Sequence, residues 1–339
     1  MCCLSRTSEA LGAAASTTAG CAIASFLFLD NLNFVMGLLQ AAKALGLMIG
    51  PIFGGLLYSV DGFYLPFAVT ASIYFLLTIV AFFLLPSIDS KHHSNTRLYS
   101  VNILSIILLI DNQQLTNSNI SIIPLLKSPT IIVIGCLLAV AQMLLGFIDV
   151  SLAPYLQQFH LSPVQVGGIF LIAPATLALS SPIYGKICDK LGKERSVLIV
   201  GISISLIGFL LIGPSKLFFF IRCKLWLVGV SFAIAGIGWG SIITTYKEFV
   251  DVAKSKDYPE GIETDGIISG LYNAYNNFGA FLGPTISGYI VDQLGFQWSS
   301  TLFGGIFALS LISLIGLTAV ERCFQSNRNL GRIPMVIEE

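Results

Sequence analysis

The stretch Gly37–Phe63 returns without a gap at Gly270–Phe296. Gly37/Gly270, Gly46/Gly279, Gly50/Gly283, Pro51/Pro284, Gly55/Gly288, Gly62/Gly295 and Phe63/Phe296 all pair at an offset of 233 residues. Each copy is an apolar run longer than the roughly 20 residues that cross a bilayer, followed by its turn. A duplicated membrane helix narrows the chain to architectures built from internal repeats, the plan of many secondary transporters.

Composition removes the main competitors. With 55% hydrophobic and 11% charged residues and a mean hydropathy of +0.84, the 339-residue chain does not read as a soluble domain. A net charge of zero gives no case for nucleic acid as a partner. The seven cysteines show no CxxC or metal-ligand spacing, and His92, His93 and His160 cannot make a metalloenzyme box. No nucleophile–base constellation stands out, so we expect no enzyme, no cofactor and no metal.

Hydropathy marks nine spans, roughly 9–29, 36–58, 65–86, 130–154, 164–185, 196–213, 225–246, 266–291 and 298–320. Five lie between the repeat copies, so the repeat period is six helices. Residues 130–321 make a complete six-helix half, whereas residues 1–86 supply three helices of the other. The expected organisation is a partial first half (1–86), a polar linker (87–129), the six-helix half and a tail (322–339). The same count leads us to expect that three helices ahead of Met1 are missing. Within the linker, Val101–Ile110 is apolar but too short to span. It reads as a surface segment or an insertion.

Basic residues set the orientation. Thirteen of the eighteen lysines and arginines, from Lys91 to Arg332, fall on one side, against Lys216, Arg222 and Lys224 on the other. The linker and C-terminus are therefore expected in the cytoplasm.

Gly46, Gly50 and Gly54 recur every four residues, as do Gly279 and Gly283, which lets a partner backbone approach closely. Pro51 and Pro284 free one carbonyl each and permit a bend. Gly46–Gly55 resembles motif C, the antiporter signature in the fifth helix of the major facilitator superfamily, and Gly279–Gly288 resembles its echo in the eleventh. A generic packing seam is the competing reading of the glycines.

Between two spans runs Gly185-Lys-Ile-Cys-Asp189-Lys190-Leu-Gly192-Lys193-Glu-Arg195. Gly192 can end the incoming helix with a positive φ. Asp189 is poised for basic neighbours or a helix N-terminus. The segment is similar to the second-half copy of that superfamily's motif A, a state-dependent latch between helices. Arg6-x-x-Glu9-Ala-x-Gly12 resembles motif B of the fourth helix, with Glu for Gln and Ala for the first Gly. That resemblance implies a link to proton coupling, although Arg6 and Glu9 can also pair with each other.

Asp149 lies late in its span. A charge in the membrane is costly enough that it should face water or a cation, and such an acid can trade a proton for a cation. An ordinary interfacial aspartate is the alternative. Lys43 can snorkel to the cytoplasmic side, and Glu248 beside Lys247 reads as a surface ion pair. Asn273, Tyr275 and Asn276 share one span with Tyr272 and Asn277, a polar load that should line a cavity or a helix contact. Trp239, within Gly236-Ile-Gly-Trp-Gly240, could hold an organic cation by cation–π attraction or pack in a core.

Together these segments resemble the major facilitator fold from its fourth to its twelfth helix, an all-α membrane architecture. Arg6-Thr-Ser-Glu-Ala-Leu-Gly, Met36-Gly-Leu-Leu-Gln, Leu47-Met-Ile-Gly-Pro, Phe147-Ile-Asp149 and Ser181-Pro-Ile-Tyr-Gly are similar to the vesicular amine transporters, solute carrier family 18, and among them to the polyamine type. The resemblance implies a proton-coupled antiporter of polyamines or monoamines in a vesicle or plasma membrane, monomeric when full-length, with protons and a small cation as its partners. Asp149 stands where that family carries an acid in its seventh helix. A second reading is a nine-helix product that does not transport and instead partners a longer form.

Overall fold

The computed structural model describes residues 2–84, 121–213 and 224–330. The linker before Ser121 with Val101–Ile110, the basic residues Lys216 and Arg222, and the tail beyond Leu330 lie outside the described residues. Among those described, the regular elements are all helical: α1 (Cys2–Leu27), α2 (Leu32–Asp61), α3 (Tyr64–Leu84), the short α4 (Ile123–Leu126), α5 (Pro129–Leu156), α6 (Pro163–Leu191), α7 (Glu194–Ile212), α8 (Leu225–Trp239), α9 (Thr244–Ser255) and α10 (Ile262–Leu330). A turn of 3₁₀-helix, Gly240–Ile243, joins α8 to α9 in the middle of one crossing.

Eight of these helical runs are long and apolar enough to cross a membrane. The nine expected spans match them because α10 contains two, broken at Gly295. Gly295 has φ 76° and ψ 163°, a region that only glycine occupies cheaply. Its repeat partner Gly62 also has a positive φ, 65°, and separates α2 from α3. Gly295→Ala is therefore expected to lower stability by about 1–3 kcal/mol, read as a drop in the thermal midpoint of the detergent-solubilised chain. An unchanged midpoint would mean that the turn is not strained.

The contacts divide the chain into two compact units. One holds residues 1–48 and 121–339, and the other residues 49–120. In the first unit α5 is the central helix, with buried residues recurring along its length from Ile131 to Leu156. Phe147 packs at 4.6 Å from Phe303 and 5.6 Å from Phe296, and Tyr155 stacks on Phe296 at 3.9 Å. Aromatic rings thus fill the space beside the Gly295 break, where two helix ends meet.

Glycines set the closest approaches. A methyl at Gly279 would run into the Ala139 carbonyl of α5, and one at Gly283 would lie 2.5 Å from the Met143 carbonyl oxygen. On the other side of this seam Pro284 fills the gap left by Gly146. Gly236 of α8 and Gly240 after it face Ala173, Thr176 and Ser180 of α6, while Gly238 faces Gly201 and Ser205 of α7. Missing side chains here allow backbone-to-backbone packing where lipid offers no hydrophobic push.

In the second unit the end of α2 turns through Gly62 into α3, and Phe63 packs on Phe67 at 4.8 Å. Its helices expose their apolar side chains, as a surface facing hydrocarbon would.

Candidate functional site

The segment Gly185–Arg195 ties helices together rather than forming an ordinary loop. Asp189, near the end of α6, meets the first turn of α2, whose N–H groups have no partner in their own helix. Its Oδ1 accepts from the Asn33 backbone N at 3.2 Å and from Asn33 Nδ2 at 2.9 Å, and its Oδ2 accepts from Phe34 N at 2.8 Å. The carboxylate also complements the positive end of the helix dipole. Close approach makes this possible: a methyl at Gly185 would sit 2.5 Å from the Asn33 carbonyl oxygen, and one at Gly37 would sit 2.7 Å from that of Ser181. Ser181 Oγ adds a bond to the Gly37 carbonyl at 3.1 Å. Gly192 closes α6 with φ 58°, and Lys190 lines the groove beside Asp189.

Arg195, at the start of α7, anchors a second cluster. Its Nε donates to Glu248 of α9 at 2.8 Å, and its Nη1 bonds Glu321 near the end of α10. The other Glu321 oxygen accepts from Thr130 of α5 at 3.0 Å. The surface pair expected between Lys247 and Glu248 does not form. Glu248 is buried, 7% exposed, against Arg195, and Lys247 approaches Glu194 at 3.9 Å.

A third connection was not visible in the sequence as a pattern. Down the facing sides of α1 and α10, Ser25 Oγ donates to Asp265 Oδ1 at 2.8 Å and Asn273 Nδ2 donates to Thr18 Oγ1 at 3.3 Å. Between them, Tyr246 OH lies 3.2 Å from the Cys21 carbonyl and 2.7 Å from Ser269 Oγ. The phenol has one hydrogen, so it donates to the carbonyl and accepts from the serine. Asp265, Ser269 and Asn273 fall four residues apart, one face of α10, and meet Ser25, Cys21 and Thr18 in reverse order. This is an antiparallel polar zipper.

Of the remaining residues singled out by sequence, Tyr275 packs over Gly135 of α5 and lies edge-on to Phe249 at 6.2 Å, two residues from Asn273 and so on roughly the opposite side of α10. Asn276 is half-buried beside it. Asp149 is exposed and makes no hydrogen bond or ion pair among the described residues. It lies fourteen residues beyond Gly135 on α5, about 21 Å along the axis, so the structure separates it from Tyr275. Trp239 is 5% exposed within the core, and its indole N–H has no partner among the described residues. Arg6 and Glu9 pair with each other at 2.8 Å on an exposed face. They precede Thr18 by two to three turns of α1. Lys43 is exposed. A methyl added at Gly46 would meet no described atom beyond its own helix backbone within 4 Å, unlike one at Gly279 or Gly283.

The family model described as Major Facilitator Superfamily matches residues 1–258. The human MFS-type transporter SLC18B1 is 30% identical over 309 residues, covering 90% of this chain and 62% of its own length. The rat chromaffin granule amine transporter is 25% identical over 316 residues, covering 89% of this chain and 52% of its own. The chain thus spans less than two thirds of these relatives. In fold it is similar to the crystal structure of the human organic anion transporter MFSD10 (TETRAN), with a TM-score of 0.60 at 18% identity, over 88% of this chain and 67% of that one.

Proposed function

The chain belongs to the major facilitator superfamily, and on that premise we propose that it is a secondary transporter exchanging protons for an organic cation of the amine class by alternating access. The halves that move are residues 1–86 and 130–321, joined by the linker 87–129. The observation that carries this reading is a pair of matched latches. Helices α2 and α10 correspond through the 233-residue repeat, and each is tied at its first turn to a helix of the other half. Asp189 of α6 holds α2 at Asn33 and Phe34, and Ser25 of α1 holds α10 at Asp265.

Hydrogen bonds between membrane helices contribute about 0.6–1.7 kcal/mol each. A few of them hold one state yet yield to a ligand that prefers the other. Lys186, Lys190, Lys193 and Arg195 put this latched end on the cytoplasmic side by the positive-inside rule. On this reading the two latches hold the protein closed toward the cytoplasm.

Asp149, exposed and unpaired among the described residues, serves as the acid that attracts the cation or carries the proton. Asn273, Tyr275 and Asn276 shape the passage deeper in the bundle, and the Arg6–Glu9 pair stands near the opposite end of α1. An amine is the preferred substrate because the chain's relatives include named amine transporters and because the chain resembles their polyamine type. A vesicle membrane is the fitting location.

Purified chain in liposomes with an acidic interior is expected to accumulate radiolabelled spermidine and to stop when an ionophore collapses the pH gradient. Asp149→Asn should lower that uptake by about tenfold or more, a loss of at least 1.4 kcal/mol of transition-state stabilisation, with unchanged insertion. Uptake indifferent to the gradient or to Asp149→Asn would sink the reading.

A further inference from the structure

We propose that the groove between the start of α2 and the end of α6 binds an anionic phospholipid, with the lipid phosphate on Lys186 and Lys190. The groove encloses about 770 Å³, within the range of small-ligand sites. One wall is apolar, formed by Phe28, Phe34, Val35 and Leu38. Phe28 is 50% and Leu38 47% exposed, so a ligand with a hydrocarbon part has bare surface to cover. The other wall carries Lys186 and Lys190, four residues apart and so on one face of α6.

These lysines are not spoken for. Among the described residues neither forms an ion pair. Lys186 instead rests its ammonium 5.0 Å from the centre of the Phe34 ring, which holds it over the groove. The one acid in the lining, Asp189, turns both its oxygens to the first turn of α2, and its single negative charge leaves the two lysines in excess. The groove is therefore basic at one edge and greasy at the other.

Its depth matches that polarity. Lys190 stands one residue before the end of α6, and Leu38 stands six residues into α2, about 9 Å toward the hydrocarbon. A phosphodiester at the lysines would place its acyl chains along Phe34 and Leu38. Basic pockets between helices at the cytoplasmic face attract such headgroups. A free anion would leave the apolar wall bare, and a neutral lipid would leave the lysines unmatched. The choice of leaflet rests on the orientation proposed above, whereas binding does not depend on transport.

The test titrates detergent-solubilised chain with dioctanoyl phosphatidylserine, dioctanoyl phosphatidylcholine or glycerol 3-phosphate, reading binding by intrinsic fluorescence and stability by thermal midpoint. Phosphatidylserine should bind and raise the midpoint. The double variant Lys186→Gln/Lys190→Gln should lose about tenfold or more in affinity, and Lys186→Arg/Lys190→Arg should keep it. Lys127→Gln should bind as the parent does. Equal binding of phosphatidylcholine, an equal effect of glycerol 3-phosphate, or an equal loss in Lys127→Gln would each overturn the proposal. So would unchanged affinity in the double Gln variant.

Discussion

Arg195→Ala should destabilise the chain by about 3–5 kcal/mol, because it strips a buried carboxylate of its counter-charge. Most of that loss belongs to Glu248, which is buried against the guanidinium, and less to Glu321, which keeps Thr130 and some solvent. Arg195→Lys should recover a fraction, since one ammonium cannot serve two carboxylates with the fork of a guanidinium. Arg195→Ala combined with Glu248→Ala should be more stable than Arg195→Ala alone, because the stranded charge is gone. Unfolding in mixed detergent and SDS micelles gives all four corners of the cycle. If Glu248→Ala costs the same with and without Arg195, the two side chains are not coupled and the ion pair does not hold these helices.

Gly279→Leu should be the second severe change. The added side chain meets the Ala139 carbonyl, which is helix backbone and cannot step aside. Overpacking of this kind costs roughly 1–3 kcal/mol, with α5 and α10 forced apart. The repeat supplies its own control. Gly46→Leu alters the corresponding residue of α2, where an added Cβ would meet no described atom beyond its own helix backbone within 4 Å. There the change should cost little, and it gains about 0.5–1 kcal/mol of helix propensity in this chain. Equal effects at the two positions, measured by the same unfolding assay, would show that α10 is not seated on α5 through Gly279.

Hydropathy located the long apolar helices among the described residues, because lipid forces each span to be long, apolar and helical. The Gly62 and Gly295 turns were legible because φ beyond zero selects glycine. Boundaries were less so: 292–297 read as a loop between spans, while the structure spends one residue, Gly295, on the break. The Asp189 turn could be read because its Asp–Gly spacing is unusual for a basic loop.

The zipper could not be read, since serine and threonine in membrane helices usually bond their own preceding turn, as Thr318 does with Leu314. Nothing local marks Ser25 or Ser269 as different. Their partners lie more than 200 residues away or across a kinked crossing. Glu248 misled for a related reason. Adjacent residues on a helix point about 100° apart, so Lys247 was never its natural partner. Trp239 was ambiguous in sequence because glycines on both sides suit a cavity as well as a packed seam. The burial of its ring in the core favours the seam.

The single-residue break at Gly295 has a mechanical meaning. Asp265 and Glu321 are the two tips of one hairpin, each gripped by a different helix, α1 at one tip and α7 at the other. Between the tips runs stiff helix with one pivot. The hairpin is a pair of tongs. Letting go at Asp265 need not loosen Glu321, so the first arm can swing while the second stays clamped to α7.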